Sequence, residues 1–183
     1  LIRNYNYFDA FVLTKSFGYN LLKGNNSTFI VEGSPEYIER NFDRKKLNIK
    51  ADNKYEIKVD NFFKQKAINI IKENPYDYLK FYFVKVLSFV FFDLNSTYPN
   101  YYNPLHLFPK IILAITSLIG SVTSLYRKNY FQFLSIYYLF NILLFSIFFI
   151  LPRYSLILLP IQLLLTINCI KFIKEKIDLL IQR

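Results

Sequence analysis

From Leu107 to Ile170 the chain contains no acidic residue, and this stretch decides what it can fold into. The cations of the stretch are Lys110, Arg127, Lys128 and Arg153. Arg127, Lys128 and Arg153 separate three apolar runs, at residues 107–126, 131–151 and 154–173. Each run has about 20 residues, enough for an α-helix to cross a hydrocarbon core of roughly 30 Å. Because the runs lack the wide polar face of a helix in a water-soluble protein, the sequence predicts three transmembrane helices.

Composition and charge narrow the class of protein further. Hydrophobic residues make up 53% of the 183 residues and there are 4 glycines, which excludes a disordered or collagen-like chain. One Cys excludes a disulfide framework and a zinc site built from cysteines. The net charge is +3 over residues 1–78 and +7 over residues 79–183. The chain has no Met, and we expect it to be a piece of a longer protein.

The positions of the cations predict how the spans are oriented. Arg127 and Lys128 connect the first two runs, and a basic tail follows the third. Loops rich in Lys and Arg stay on the cytoplasmic side of a membrane. We therefore expect residues 174–183 to be a basic cytoplasmic tail, and everything before residue 107 to lie outside the cytoplasm together with the turn at Arg153.

The part before the spans mixes helix and loop signals. Residues 60–74 show the apolar spacing of an amphipathic helix, and residues 33–58 are charged and irregular, which favours a loop. Gly and Asn punctuation over residues 10–32 suggests turns between short extended pieces. Residues 79–92 are apolar but short and interrupted by two lysines, which favours a helix in the outer membrane interface. Pro75 is placed to be the first residue of that helix.

These patterns define the predicted fold class and its divisions. We expect an all-α polytopic membrane protein in which three transmembrane helices follow an extracytoplasmic loop region that carries an amphipathic helix. The predicted divisions are an extracytoplasmic loop region at 1–78, an interfacial helix and loop at 79–106, three transmembrane helices at 107–173 and the tail at 174–183.

Two places combine cations with hydrogen-bonding groups that suit an anionic or sugar ligand. The first is Arg3 with the Gly and Asn turns of residues 18–26, where the candidate ligand residues are Asn20, Asn25 and Asn26. The simpler explanation is a loop stiffened by Asn turns. The second is the pair Arg153 and Tyr154. Arg153 is either an interface anchor or a phosphate ligand, and the apolar runs offer no carboxylate to pair with it.

Several segments, in order, resemble one family of membrane enzymes. They are Ile2-Arg3-Asn4-Tyr5, the stretch from Gly18 to Asn26 (GYNLLKGNN), the helix end Glu73-Asn74-Pro75 and the pair Arg153-Tyr154. Together the segments resemble the C-terminal part of bacterial GT-C class glycosyltransferases related to protein O-mannosyltransferases and the lipid A aminoarabinose transferase, the family 39-like group. The chain departs from the pattern around Arg153, where Leu151-Pro152 stands in place of the acidic residue that the family often has.

The resemblance implies a function. Such enzymes move a sugar from a polyprenyl-phosphate-linked donor to an acceptor at the outer face of the membrane, here a bacterial inner membrane. The general base of the family lies in an earlier outer loop, so the resemblance implies no catalytic residue here and places Arg3 and Arg153 beside the donor phosphate. It implies no bound cofactor and leaves a metal requirement open. The expected partners are the polyprenyl-phosphate sugar donor and membrane lipids, with no nucleic acid and an unknown acceptor.

Two other functions stay open from the sequence. A subunit of a membrane transporter or polysaccharide-export system would have polar pairs or broken helices along a path through the membrane. The runs offer Asn141, Gln162 and Asn168 for such a path. A membrane-anchored interaction module would use residues 1–78 as its binding part.

Overall fold

A computed structural model describes residues 2–8, 16–42, 49–50, 52 and 54–182, without the side chains of Arg3, Asn6 and Tyr7. The described residues form helices and no strand, which confirms the all-α prediction for this part of the chain. The helices are α1 (Ile2–Phe8), α2 (Phe17–Gly24), α3 (Pro35–Asn41), α4 (Tyr55–Glu73), α5 (Pro75–Val90), α6 (Pro104–Arg127), α7 (Gln132–Phe145), α8 (Tyr154–Ile157) and α9 (Leu159–Ile181). The chain divides into two units: the first is Leu1–Val84 with Ile147–Ile150, and the second is Lys85–Ser146 with Leu151–Arg183.

The core of the first unit lies where α2 packs on α4. Its buried residues are Leu21, Leu22, Ile38, Val59, Phe63 and Ala67. Gly18 lets the two helices approach closely, since a Cβ there would lie 1.9 Å from the carbonyl oxygen of Asp60. The Asp60 carboxylate accepts a hydrogen bond from the backbone N–H of Tyr19 at 3.1 Å, which satisfies a free donor of the first turn of α2. Gly18 is therefore required by packing.

Residues 147–150 belong to the first unit although they follow α7. The N–H of Ile150 donates to the carbonyl oxygen of Val31 at 2.8 Å. Gly24 faces the same segment, because a Cβ at Gly24 would lie 2.5 Å from the backbone of Phe148. Phe149 lies beneath the Lys23 ammonium, with Nζ 4.0 Å from the ring centroid. Phe149 and Ile150 are buried by protein in these contacts. The second apolar run therefore does not continue as a helix through residues 147–150.

The second unit is built on a parallel pair of helices, α6 and α9. Contacts along the pair join Thr116 with Thr166, Gly120 with Asn168, and Arg127 with Glu175. The residue numbers rise together in both helices, so their N-termini lie at the same end. Gly120 permits the close approach, since a Cβ there would lie 1.9 Å from the carbonyl oxygen of Leu165. Helix α7 runs the other way, with Tyr138 level with Ser117.

The second unit buries polar side chains and exposes apolar ones. The buried side of α6 consists of Ala114, Ser117, Gly120, Ser121 and Ser124. Residues exposed on α6 include Ile112, Ile115, Ile119 and Val122, and those on α7 include Ile136, Phe140 and Leu143. Small and hydroxyl-bearing residues at helix contacts, with aliphatic residues facing outward, are typical of helices packed within a bilayer.

The predicted spans correspond unequally to the helices. Among the described residues, α6 is the one helix long and apolar enough to cross a membrane, at 24 residues against the predicted run 107–126. The run 131–151 is not one helix, because α7 has 14 residues and the chain then joins the first unit. The run 154–173 breaks at Leu158, where Pro160 has no N–H for the preceding turn. Helix α9 then continues to Ile181, through most of the predicted tail.

Two predictions for the first unit are wrong where the structure describes them. Short extended pieces were expected over residues 10–32, but α2 occupies 17–24, and residues 10–15 lie outside the described part. A loop was expected over 33–58, but it contains α3 and the start of α4. Ser34 caps α3, since its Oγ accepts from the N–H of Tyr37 at 3.1 Å, and Pro35 is the first helical residue.

Candidate functional site

The second unit contains a cavity of about 410 Å³ at the end where α6 and α9 begin. It is lined by Tyr98, His106, Lys110, Leu113, Pro152, Arg153, Ser155, Leu156, Leu159 and Gln162. The lining thus combines an apolar wall with basic and hydrogen-bonding side chains, an arrangement common in ligand sites.

The start of α6 places two of the basic side chains. The Asn103 side chain accepts a hydrogen bond from the N–H of Leu105 at 3.0 Å, and Pro104 is the first helical residue. Both features stabilise the start of α6. His106 and Lys110 are four residues apart and therefore share one face of the helix. The Nδ1 atom of His106 lies 3.3 Å from the carbonyl oxygen of Tyr101. Because a carbonyl only accepts, this contact favours a proton on Nδ1.

The third basic side chain comes from the turn that follows residue 151. Arg153 immediately precedes α8 and is exposed at the cavity. Its neighbour Tyr154 is not among the lining residues and stacks on Phe145, with ring centroids 5.9 Å apart. The structure therefore brings the predicted site residue Arg153 into a cavity and packs the ring of Tyr154 on Phe145 beside it. Ligand binding by Tyr154 stays a prediction.

The charged side chains and helix ends around the cavity make it electropositive. Lys110 and Arg153 carry positive charge, His106 gains one when protonated, and none of the described residues of the lining is acidic. Because α6 and α9 are parallel, the positive ends of both helix dipoles also lie at this end of the unit. Fixed cations and helix N-termini together favour an anionic ligand, and phosphate is well matched to the planar donors of Arg.

The polar groups at the inner side of the cavity form a connected series. The Gln162 amide nitrogen donates to the Tyr138 hydroxyl at 3.0 Å, and that hydroxyl lies 3.2 Å from Ser117 Oγ. Ser117 Oγ donates in turn to the carbonyl oxygen of Ala114 at 3.1 Å. Gln162, Tyr138 and Ser117 are all buried.

Asn25 and Asn26, two further predicted site residues, lie in the first unit and hold a turn. The Asn25 amide nitrogen donates to the carbonyl oxygens of Leu21 at 2.9 Å and Ile147 at 2.8 Å. The Asn26 amide nitrogen donates to the carbonyl of Lys23 at 2.8 Å, and its oxygen accepts from the N–H of Thr28. These bonds are those of a stiffened turn.

The remaining predicted residues are less informative. Asn20 is half-buried in α2, and the side chain of Arg3 lies outside the described part of the chain. Ligand binding by Arg3, Asn20, Asn25 and Asn26 stays a prediction.

Sequence reasoning did not select His106, Lys110 or Gln162 as site residues. The spacing of His106 and Lys110 was a usable signal, because it places two basic groups on one helix face just before an apolar run. Gln162 gave no such signal, since its position at the cavity depends on how α9 packs against α6 and α7.

Comparisons with known protein families, characterised proteins and solved structures gave no match to the chain. Within the described ranges, no group of three or more His, Cys, Asp or Glu side chains comes together as a metal site.

Proposed function

We propose that the chain is part of an integral membrane glycosyltransferase that moves a sugar from a polyprenyl-phosphate-linked donor to an acceptor at the outer face of the membrane. The proposal gives the cavity one role, which is to hold the phosphate of the donor. The observation that carries it is the cavity lined by His106, Lys110 and Arg153 without a carboxylate.

A location in a bilayer is supported by the exposed faces of the second unit. Only 22% of the most apolar window of α6 is buried, so the helix does not have the surroundings of a soluble core. The alternating directions of α6, α7 and α9 agree with three crossings. They leave Arg127, Lys128 and Lys171 at the end opposite the cavity, where a positive cytoplasmic side would lie. The three crossings and the inner-membrane location are part of this proposal.

The proposal gives the lining a role in binding the donor phosphate. Transfer of a sugar also requires a base that removes a proton from the acceptor. Among the described residues no carboxylate lines the cavity, so a carboxylate base of the kind that the resemblance implies would come from other residues of the enzyme. The cations would hold the donor phosphate and stabilise it as it becomes the leaving group.

Binding of decaprenyl monophosphate to the protein in nanodiscs tests the proposal. We expect Arg153→Ala and Lys110→Ala each to weaken binding about tenfold or more, because each removes a charged hydrogen-bond donor. Arg127→Ala is the matched control, since Arg127 pairs with Glu175 at the other end of α6. Sugar transfer from the corresponding donor should fall in the same two variants. Unchanged binding in both would refute the assignment of the cavity.

A transporter or polysaccharide-export subunit is the second candidate, favoured by the helix break at Leu158 and by the buried polar pairs of the second unit. Its weakness is that these polar groups bond to each other, as Gln162 does to Tyr138, and do not line an open path. Flux of a lipid-linked sugar across proteoliposomes without sugar transfer would favour this candidate.

A further inference from the structure

Gln162 combines deep burial with a position at the cavity wall. Its side chain lies in the first turn of α9, and the residue is only 6% exposed while it lines the cavity. A buried amide must satisfy both of its ends, a donor NH₂ and an acceptor oxygen. The question is therefore where each end of the Gln162 amide points.

The direction of the hydrogen bonds fixes the orientation of that amide. Either hydroxyl of the Ser117–Tyr138 pair could donate, but with the Ser117 proton on the carbonyl oxygen of Ala114 the Tyr138 hydroxyl donates to Ser117. The Tyr138 hydroxyl proton is then used in that bond, so its oxygen can only accept a further hydrogen bond. The Gln162 NH₂ group donates this bond at 3.0 Å. A reversed amide would place two acceptors against each other. The series thus holds the nitrogen inward.

The oxygen of the Gln162 amide is left for the cavity. Among the described residues, one buried side-chain oxygen or nitrogen atom has no hydrogen-bond partner, and that atom is the Tyr78 hydroxyl oxygen. The Gln162 oxygen is not such an atom, so it is not enclosed in the protein. Since Gln162 lines the cavity, its oxygen is an acceptor presented there in a fixed orientation. The cavity therefore offers cations for an anion and one oriented acceptor for a donor group of the same ligand.

We propose that Gln162 is a specificity-determining residue that accepts a hydrogen bond from a hydroxyl of the ligand whose phosphate the cations hold. The identity of that hydroxyl as part of a sugar rests on the proposed function. Tyr138 bonds to Gln162 and Ser117 bonds to Tyr138, so both are positioning residues that keep the Gln162 oxygen toward the cavity. At a pH well above the second pKa of a phosphate monoester, about 6, a bare phosphate carries no hydroxyl proton and gains nothing from Gln162.

The competing explanation is that the series only joins α6, α7 and α9, as buried polar groups do in membrane bundles. The two explanations predict different changes in ligand affinity. A structural role predicts that variants weaken all ligands together, whereas a specificity role predicts a change in the ratio between ligands with and without the hydroxyl.

The test measures binding of three probes to the full chain in nanodiscs: decaprenyl monophosphate, decaprenyl-phosphate-mannose and decaprenyl-phosphate-glucose. We expect the wild type to bind at least one sugar-bearing probe more tightly than the monophosphate. Gln162→Leu should reduce that preference about fivefold, which corresponds to one neutral hydrogen bond. Tyr138→Phe should reduce the preference less, because Gln162 remains but is no longer held.

Thr166→Val is the matched control for loss of a bond between helices. Thr166 lies one turn beyond Gln162, bonds to Thr116 across the same helix pair and does not line the cavity. Its variant should keep the preference, and it shows whether the bundle tolerates losing one such bond.

The outcomes separate the two proposals. Equal weakening of all probes by Gln162→Leu, or a wild type without any preference, overturns the role of Gln162 while the phosphate site stands. Failure of the wild type to bind any probe overturns the proposed function itself. If Gln162→Leu does not fold, loss of preference in Tyr138→Phe at unchanged monophosphate affinity supports the inference, and an unchanged preference overturns it.

Discussion

Between α2 and α4 of the first unit the packed side chains are Leu22, Phe63 and Ala67, whereas the helices of the second unit meet through Ser117, Tyr138 and Gln162. In the first unit the charged residues of α4, such as Lys64 and Lys66, are exposed. In the second unit the exposed positions of α6 and α7 include many Ile, Leu and Phe side chains. Burial of apolar groups stabilises a fold only where the alternative is water. The two patterns therefore fit the proposed function, in which the second unit lies in a bilayer and the first in water.

The largest effect should come from the apolar core of the first unit. Phe63 is 1% exposed and contacts the rings of Tyr19 and Phe42. We expect Phe63→Ala to lower the free energy of unfolding by about 3–5 kcal/mol, because it removes a buried ring and leaves a cavity. Denaturant unfolding of the detergent-solubilised chain measures it. Phe62→Ala, at a half-buried position, is the control, and an equal loss there would contradict this core.

The outward face of the second unit offers the sharpest test of the comparison. Ile119 and Ile30 are each 41% exposed, one on α6 and the other in the first unit. Ile119→Arg should cost about 3 kcal/mol of membrane insertion, because the guanidinium would lie in hydrocarbon. Ile30→Arg should change stability by no more than about 0.5 kcal/mol, as expected for a position in water. Insertion scored with glycosylation tags distinguishes them, and equal effects would remove the distinction between the units.

Lys85 in α5 is a buried cation and fits neither pattern. Its side chain is fully buried, and desolvation lowers the pKa of its ammonium from 10.5 to about 7. The unfolded chain therefore binds more protons between pH 7 and pH 10.5, so stability rises with pH across that window and the cost of burial is complete below pH 7.

We expect Lys85→Met to raise the free energy of unfolding at pH 6 by about 2 kcal/mol and to abolish the rise in stability above pH 7, because no ammonium is then buried. Thermal unfolding across that pH range measures both effects. Lys80→Met, at an exposed position of the same helix, should change neither. A rise that survives in Lys85→Met would assign it to another group.

The smallest effect should come from Tyr78. Its buried hydroxyl has no hydrogen-bond partner within the part of the chain that the structure describes, and burial raises its pKa to about 12. Tyr78→Phe should raise stability by about 1 kcal/mol, because it removes an unsatisfied polar group and keeps the ring contact with Phe29. The melting temperature of the variant checks this, with Tyr82→Phe on the same helix for comparison. A lower melting temperature would mean that the hydroxyl has a partner.

The sequence predicted helices well where the signal was local. The apolar run 107–126 became α6, and Pro75 begins α5 as expected. The run 131–151 misled because hydropathy does not tell a residue that faces lipid from one buried by protein, as Phe149 is against Gly33. Ser34 and Pro35 are start signals for α3, but the charged residues that follow them favoured the prediction of a loop.

The candidate site was predictable only in part for the same reason. Arg153 stood out because a cation beside apolar runs needs an explanation. Lys110 joins Arg153 through the parallel packing of α6 and α9, which depends on Gly120 and on no motif near either residue. For Asn25 and Asn26 the sequence could not separate the two roles, because a turn-forming amide and a ligand-binding amide are the same residue type.

The hydrogen bond from Asn25 to Ile147 joins residues 122 positions apart in the sequence. Ribosomes add roughly 5–20 residues per second, so the surface around Gly24 stays open for several seconds after it leaves the ribosome. During that time α6 and α7 are synthesised and, in the proposed function, enter the membrane. Completion of the first unit is thus a late step of biosynthesis, and a nascent chain halted before residue 147 would display an unfilled apolar surface to chaperones and proteases.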